Sequence, residues 1–454
     1  MTSTFWTLTR VADALGTGPR GDRALRGVST DTRTVGEGDL FVALAGETYD
    51  GHDFLAQAVA RGAAAVVVHD ARRGAGLGVP VYVVQDTLHA LGLLARFRRR
   101  VWGRPVIAVG GSNGKTSTKE LVRAALGARL LVHATSGNLN NQIGVPLTLL
   151  SLPDDADIAV IEVGTNVPGE VALLRDIAEP TIAIVTTVQE EHLEGFGDLA
   201  GVLQEEASLC DGVSVAIVPA DEPALIEAVR MRARRVVTAG LGAGDVAATV
   251  YGLRADGSGW LELEAAHVDV PLKGDHNLRN AMLALAAARE CGLFDDEAGN
   301  AIGAMNLAAL PGMRSAVTPL GQALLVHDAY NANPGSARAA LVLLAKVGAG
   351  RQRVAILGTM RELGAASARA HREIAMAALE SGADVIAGIG EFARAFADVA
   401  PDDPRVVTAK DIDDLWPHLA PRLAHNAAIL LKASRGVKLE RLEPLLAEWA
   451  SQPV

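Results

Sequence analysis

Residues 106–120 read VIAVGGSNGKTSTKE, and this stretch decides the fold. An apolar run leads into glycines and then into Gly114-Lys115-Thr116, where a helical pattern begins. Glycines let backbone N–H groups curl around phosphate oxygens, and the helix N-terminus adds partial positive charge. In such a loop the lysine reaches the terminal phosphates and the threonine hydroxyl binds Mg²⁺. We therefore predict a nucleotide-binding phosphate loop.

The loop is a variant, because Val109 stands where the general pattern has a glycine. A chance glycine-rich turn is the alternative interpretation, and the order strand, glycines, Gly-Lys-Thr and helix disfavours it. The loop alone does not identify the reaction, since motors, GTPases, kinases and ligases all have a phosphate loop.

Apolar runs alternate with helical patterns on both sides of the loop, which predicts buried parallel strands in α/β layers. These runs are 106–109, 158–163, 182–188, 213–218, 324–327, 354–357, 385–389 and 428–431. Turn-forming Trp-Gly-Arg-Pro at 102–105 and Leu-Pro-Gly-Met at 310–313 mark two boundaries. We predict domains of residues 1–103, 104–311 and 312–454. A chain of 454 residues suits about three domains at roughly 150 residues each.

Composition excludes several classes of function. A net charge of −11 makes the chain a poor candidate for binding nucleic acid. Two cysteines cannot build a disulfide framework, and neither a signal peptide nor a membrane-length apolar run is visible. We predict a cytoplasmic protein with no membrane insertion.

Lysine is scarce and unevenly placed. The seven lysines stand at positions 115, 119, 273, 346, 410, 432 and 438, against a total of 42 basic residues. Mutational bias explains most of this pattern. Residues 120–272, within the predicted central domain, contain no lysine at all.

Polar side chains follow several predicted strands, where open α/β sheets place ligands. Glu162 suits Mg²⁺, and His192 suits a metal or phosphate, with a solvent-facing Glu and a structural His as alternatives. Asn280 opens a predicted helix at 281–291, where an N-cap is its simplest role. In the last domain, Asp, Asn and Tyr at 328–333 suit ribose or peptide, and Lys432 and Arg435 suit a carboxylate.

Together these segments resemble the Mur ligases over the whole chain. They are STDTR (29–33), GDLFVAL (38–44), GSNGKTS (111–117), NLNNQIGVP (138–146), HLEGFG (192–197), HNLRN (276–280), YNANP (330–334) and KASR (432–435). The Asn-rich segment and YNANP favour the member that adds D-alanyl-D-alanine. The Asp-Asn-Pro-Arg motif typical of relatives that add meso-diaminopimelate is absent.

The resemblance implies an N-terminal UDP-binding α/β domain, a central phosphate-loop ATPase with a mostly parallel sheet, and a C-terminal Rossmann-like domain for the amino substrate. It implies joining of D-alanyl-D-alanine to UDP-N-acetylmuramoyl-tripeptide in peptidoglycan precursor synthesis. ATP would form an acyl phosphate and ADP, Mg²⁺ would assist, and a monomer would be the default.

The resemblance also assigns roles to residues. The nucleotide positions are Gly111, Ser112, Asn113, Gly114, Lys115, Thr116, Ser117, Asn280 (adenine), Arg314 (γ-phosphate) and Asp328 (ribose). The metal positions are Thr116, Glu162 and His192, and the catalytic positions are Lys115, Glu162 and His192. The substrate positions are Ser29, Thr30, Asp31 and Arg33 (uridine), Asn138, Asn140, Thr165 and Asn166 (sugar and peptide), and Tyr330, Asn331, Lys432, Ser434 and Arg435 (D-alanyl-D-alanine).

The sequence departs from the family pattern at three positions. Val167 replaces a frequent His, and Thr359 replaces a usual Asp. Glu206 stands 14 residues after His192, where Mur ligases usually have a carbamylated lysine that binds the second Mg²⁺. We hypothesise that Glu206 supplies that anion directly, as a catalytic and metal-binding residue. A solvated helix residue is the alternative.

Other functions remain as alternatives at this stage. They are the Mur ligase that adds the third, diamino acid residue, folate polyglutamylation, a nucleotide-binding paralogue without catalysis, and a mechanical or signalling phosphate-loop protein.

Overall fold

The computed structural model describes residues 5–46, 48–264, 266–307 and 316–452. The chain divides into two compact units. One comprises the described parts of Met1–Val109, Leu130–Thr165 and Gly169–Ala183, and the other those of Gly110–Arg129, Asn166–Pro168 and Ile184–Val454. No helix in these described ranges is long and apolar enough to cross a membrane.

Strands and helices alternate along most of the chain. The strands are β1 (Trp6–Thr7), β2 (Ala24–Leu25), β3 (Val28–Ser29), β4 (Leu40–Val42), β5 (Ala65–Val68), β6 (Val81–Val83), β7 (Val106–Gly110), β8 (Val132–Ala134), β9 (Ile158–Glu162), β10 (Ile182–Val185), β11 (Val215–Pro219), β12 (Arg235–Leu241), β13 (Val246–Ala248), β14 (Val250–Leu253), β15 (Ser258–Leu263), β16 (Ala266–Lys273), β17 (Ala316–Leu320), β18 (Ala323–Asp328), β19 (Arg353–Leu357), β20 (Val385–Ile389), β21 (Val406–Ala409) and β22 (Ala428–Lys432). The helices are α1 (Leu8–Leu15), α2 (Leu55–Ala60), α3 (Thr87–Trp102), α4 (Lys115–Leu126), α5 (Gly144–Leu150), α6 (Glu170–Ala178), α7 (Leu193–Phe196), α8 (Leu199–Ala207), α9 (Pro223–Arg230), α10 (Asp275–Glu290), α11 (Asp295–Gly303), α12 (Pro334–Val347), α13 (Ser367–Glu380), α14 (Glu391–Val399), α15 (Ile412–Leu419) and α16 (Leu442–Ala450).

The N-terminal sheet has the order β3-β4-β5-β6 with every pair parallel. Its central strands β4 and β5 are fully buried, as expected of strands covered on both faces. Helix α3 follows, with Asp86 accepting hydrogen bonds from the N–H groups of Leu88 and His89 at its start. It ends at the left-handed Gly103, beside the first predicted domain boundary.

The central sheet positions the phosphate loop. Its strand order is β13-β12-β11-β10-β7-β9-β8, and β7, β9, β10 and β11 consist of buried residues throughout. The predicted runs 106–109, 158–163 and 213–218 are confirmed as strands to within two residues. The run 182–188 ends earlier than predicted, at Val185, because Thr186 and Thr187 turn their backbone groups to the loop.

The C-terminal sheet has the order β17-β18-β22-β19-β20-β21. Its last five strands pair parallel, as predicted, whereas β17 and β18 form an antiparallel hairpin that the parallel prediction missed. The sequence interpretation also missed the three-stranded antiparallel sheet β14-β15-β16. The predicted boundary between residues 311 and 312 lies outside the described residues.

Helix α10 corrects one prediction. It begins at Asp275 after Gly274, so Asn280 lies inside the helix and is not its N-cap. Residues 275–280, which we placed before the predicted helix at 281–291, are the first turn and a half of the helix. Its polar residues Asn277 and Asn280 are buried.

Candidate nucleotide-binding site

The phosphate loop connects β7 to α4, and two of its glycines are required by close neighbours. Gly111 has φ 112°, and a Cβ there would lie 2.3 Å from the Thr186 Oγ1. Gly114 has φ 83°, and a Cβ there would lie 2.8 Å from the Asn280 Oδ1. Both positions therefore need glycine for backbone conformation and for space. Asn280 lies against the loop, although its predicted role as an N-cap is wrong.

Lys115 is the first residue of α4, and its side chain curls back over the loop. Its Nζ donates to the carbonyl oxygens of Gly111 (2.5 Å) and Ser112 (3.3 Å). The next residue, Thr116, is buried at the helix start. An ammonium and a helix N-terminus thus meet at one glycine-rich turn, which is the arrangement that binds phosphate.

Glu206 points into the same loop from α8. It is only 1% exposed, and its Oε2 accepts a hydrogen bond of 2.6 Å from the Gly111 N–H. The alternative of a solvated helix residue is therefore wrong. Burial raises the pKa of Glu206, and this is opposed by the Lys115 ammonium and the Gly111 N–H.

Glu191 is a second buried carboxylate at this place, and sequence reasoning missed it. Its Oε1 has no hydrogen-bond partner and lies 3.9 Å from the Lys115 Nζ. Burial raises the pKa of Glu191 to about 8, a shift that Lys115 opposes and the charge of Glu206 increases. The acidic run before His192 was the available signal.

The donor set fits a hard cation. Two buried carboxylates share one ammonium, so a divalent cation with oxygen ligands would neutralise the excess charge. Within the ranges that the structure describes, no three His, Cys, Asp or Glu side chains converge as a ready-made metal site.

His192 is the residue immediately before α7 and has a left-handed backbone, φ 48°. Its Nδ1 lies 2.5 Å from the Glu362 Oε2, and its Nε2 lies 4.0 Å from the Glu191 Oε2. The ring therefore stands between a carboxylate of the C-terminal region and the buried acidic pair.

Glu162, in the other compact unit, is buried at the end of β9. Its Oε1 accepts from the Asn140 Nδ2 at 2.8 Å, and its backbone N–H donates to the Thr135 Oγ1. The alternative of a solvent-facing Glu is wrong. Thr165 is also buried, whereas Asn138, Asn166 and Val167 are exposed.

The residues predicted for uridine form a turn of their own. The Ser29 Oγ donates to the Asp31 carbonyl oxygen, and the Arg33 guanidinium holds the Asp31 carboxylate at 2.6 Å. The Arg33 hydrogen bonds lower the pKa of the Asp31 carboxyl group. Thr30 lies between them and is half-buried.

The residues predicted for D-alanyl-D-alanine cluster at the C-terminal ends of β18 and β22. The buried Lys432 ammonium contacts the Asp328 Oδ2 (2.7 Å) and the Asn331 carbonyl oxygen (2.8 Å). The Arg435 guanidinium lies over the Tyr330 ring at 5.4 Å. Lys432 therefore joins the predicted ribose residue to the predicted peptide residues.

Ser434, predicted for D-alanyl-D-alanine, and Thr359, a departure from the family pattern, both accept hydrogen bonds from backbone N–H groups. The Ser434 Oγ accepts from the Arg361 N–H, and the Thr359 Oγ1 accepts from the Glu391 N–H at the start of α14. Thr359 thus supplies a hydrogen-bond acceptor to the first N–H of α14 from outside the helix. Arg314 lies outside the described residues.

Comparison with known proteins places this site in a family. The Mur ligase middle domain matches residues 109–288, the Mur ligase glutamate ligase domain matches 313–435, and the Mur ligase catalytic domain matches 24–99. A relative from Escherichia coli, named UDP-N-acetylmuramoyl-tripeptide–D-alanyl-D-alanine ligase, is 36% identical over 97% of this chain and 98% of its own. The chain belongs to the Mur ligase family. The resemblance found in the motifs is thereby confirmed.

Solved Mur ligases share the fold. The crystal structure of MurF from Acinetobacter baumannii has a TM-score of 0.88 and 30% identity, covering 98% of this chain and 99% of that one. MurF from Thermotoga maritima in complex with ADP has a TM-score of 0.82 and 26% identity, covering 93% and 97%. The predicted three-domain α/β architecture with mostly parallel sheets is confirmed.

Proposed function

We propose that this Mur ligase joins D-alanyl-D-alanine to UDP-N-acetylmuramoyl-tripeptide, using ATP and releasing ADP. The observation that carries the proposal is the similarity to the Escherichia coli ligase, which extends over nearly the whole of both chains. The Thermotoga maritima relative in complex with ADP supports the choice of nucleotide. The absence of an Asp-Asn-Pro-Arg motif disfavours the ligase that adds the third residue.

The chemistry places two anions in contact, because the tripeptide carboxylate attacks the γ-phosphate. Lys115 lowers this repulsion, and the loop N–H groups bind the phosphates. The bond between the γ-phosphorus and ADP breaks as the carboxylate oxygen bonds to the phosphorus, so this step gives an acyl phosphate and ADP. The D-alanyl-D-alanine amine then attacks the acyl carbon, and phosphate leaves with the C–O bond electrons.

Mg²⁺, when bound, would neutralise developing phosphate charge. We propose Thr116 and Glu162 as ligands of one Mg²⁺ and His192 and Glu206 as ligands of another. The buried carboxylates beside Lys115 support this assignment. Glu206 would supply an anion without carbamylation.

The remaining roles are proposals of the same kind. The nucleotide site is lined by Gly111, Ser112, Asn113, Gly114 and Ser117, together with Asn280, Arg314 and Asp328. Uridine is held by Ser29, Thr30, Asp31 and Arg33. The sugar and peptide are held by Asn138, Asn140, Thr165 and Asn166. D-alanyl-D-alanine is held by Tyr330, Asn331, Lys432, Ser434 and Arg435. We also propose domains of 1–103, 104–311 and 312–454, a monomer and a cytoplasmic location.

Phosphate release tests the function. UDP-N-acetylmuramoyl-tripeptide with D-alanyl-D-alanine should release phosphate and form the pentapeptide, and omission of either should abolish release. UDP-N-acetylmuramoyl-dipeptide with a diamino acid should give none. A Lys115→Ala variant is the control for contaminating ATPase. Turnover of the dipeptide pair alone would overturn the proposal.

A further inference from the structure

Glu362 comes from the C-terminal domain and contacts a proposed metal ligand of the central domain. It follows β19 in a loop, with a left-handed backbone of φ 65°. Its Oε2 lies 2.5 Å from the His192 Nδ1, and its carbonyl oxygen accepts from the Glu194 N–H at 3.4 Å. A non-glycine residue with positive φ is uncommon, and here both partners, His192 and Glu362, adopt it.

The backbone around Glu362 is held in place from both sides. The preceding Arg361 N–H donates to the buried Ser434 Oγ at 2.9 Å. The following Gly364 lies close to Glu194, since a Cβ on this glycine would be 3.1 Å from the Glu194 Cγ. The backbone that carries Glu362 is therefore held in place, while its side chain is half exposed.

Two neighbouring contacts also join the central and C-terminal domains. The Arg369 guanidinium of α13 binds the Glu190 carboxylate at 2.8 Å. Near the start of α12, the Asn113 and Asn333 side-chain amides form a reciprocal pair, at 3.1 and 3.0 Å. Glu362 is distinct among these contacts because its partner is the imidazole of His192.

A histidine that ligates a metal almost always gives its other ring N–H to a carboxylate or carbonyl. That bond fixes the tautomer and the ring orientation, and it makes the ligating nitrogen more basic. With the Nδ1 proton directed to Glu362, the Nε2 presents its lone pair. This nitrogen is the one that faces the buried Glu191 carboxylate.

We propose that Glu362 is a positioning residue that orients His192 for metal binding, so that the metal site is complete only with the C-terminal domain in place. This inference rests on the proposed role of His192 as a metal ligand. Glu362 itself touches neither substrate nor nucleotide in this role.

The test is Mn²⁺ affinity of the full-length protein with ADP, measured by electron paramagnetic resonance of free Mn²⁺. We expect Glu362→Ala to weaken binding by about 10–100-fold. The Mn²⁺ affinity of Glu362→Gln should lie between those of the wild type and Glu362→Ala. Its amide oxygen still accepts the Nδ1 proton but carries no charge. Arg369→Ala is the matched control, because it removes a neighbouring contact between the same domains and should keep wild-type affinity.

A second measurement reports orientation directly. The ¹⁵N shifts of His192, assigned with His192→Gln, should show the Nδ1-protonated tautomer in the wild type and a tautomer mixture in Glu362→Ala. If His192→Gln binds Mn²⁺ like the wild type, the metal role of His192 fails, and this inference fails with it. If His192→Gln loses affinity while Glu362→Ala keeps it, or Arg369→Ala loses as much as Glu362→Ala, this inference alone is overturned.

Discussion

The carboxylate of Glu206 accepts a hydrogen bond of 2.6 Å from the backbone N–H of Gly111, inside the phosphate loop. A buried anion here is paired with a loop that is built to bind anions, and Lys115 lies close enough to oppose its protonation. In this chain the anion is a carboxylate, and no lysine lies between Lys119 and Lys273.

The first prediction is that activity does not depend on CO₂, because Glu206 needs no carbamylation. Removing bicarbonate should leave ligation rates unchanged in the wild type. Glu206→Gln keeps the size and an acceptor but removes the charge, so the Mg²⁺ concentration for half-maximal rate should rise by at least about 10-fold. Glu206→Lys should be active only with added bicarbonate.

Glu227→Gln is the control for this series, because that carboxylate is exposed and forms an ion pair with Arg230 in α9. Full activity and unchanged Mg²⁺ dependence in Glu206→Gln would show that the carboxylate has no metal role.

The second prediction concerns Gly111. Gly111→Ala forces a Cβ to within 2.3 Å of Thr186 and retains φ 112°, so the KM for ATP should rise by more than about 10-fold. Gly212→Ala shares a positive φ of 77° but meets nothing within 4 Å. Gly212→Ala should lower the folding stability by about 1–2 kcal/mol through backbone strain and leave the KM for ATP unchanged. Equal KM values for both variants would contradict the steric argument.

The third prediction concerns the amide pair Asn113–Asn333. Asn113→Ala and Asn333→Ala should each lower the thermal midpoint. The double variant should lose less than the sum, because residues in contact couple by about 0.5–3 kcal/mol. Asn333 also caps α12 through the Ser336 N–H.

Ser336→Ala separates the amide pair from the cap. The Ser336 hydroxyl accepts from the Asn333 N–H and donates to the Asn333 carbonyl oxygen, at the start of α12, so the effects of Ser336→Ala and Asn113→Ala should add. Additive effects of Asn113→Ala and Asn333→Ala would mean that the amide pair has no coupling energy.

The fourth prediction is a pH effect at Tyr82. Its hydroxyl is buried 2.8 Å from the Leu8 carbonyl oxygen, and burial raises its pKa to about 12, above roughly 10 for an unfolded tyrosine. Stability from this group is fully present below pH 10 and is lost as the pH rises toward 12. Absorbance titration at 295 nm should show one of the four tyrosines titrating late, and Tyr82→Phe should remove that step. A late step that persists in Tyr82→Phe would exclude this assignment.

The phosphate loop and its strand were predictable because they depend on local pattern: an apolar run, glycines at forced positions and a helix start. Glu191 was not, since the burial of a carboxylate depends on segments that meet only in the fold. The start of α10 was misjudged because Asn277 and Asn280 look like loop residues. Asn280 instead lies against the phosphate loop at Gly114, and Asn277 accepts a hydrogen bond from the Asn280 side chain.

The sheet β14-β15-β16 was missed for a different reason. In β16 the buried Val268 and Val270 alternate with the exposed His267 and Asp269. Such alternation is typical of antiparallel strands with one solvated face and differs from the continuous apolar runs of the parallel sheets.

The scarcity of lysine also makes this protein unusually simple to label. All seven lysines lie in described residues, and the exposed ones, Lys346, Lys410 and Lys438, all belong to the C-terminal domain. Lys119 and Lys432 are buried, and Lys115 and Lys273 are largely covered. An amine-reactive dye used sparingly would therefore mark lysine side chains of that domain before those of the other domains, and would place an optical label there without any engineered cysteine.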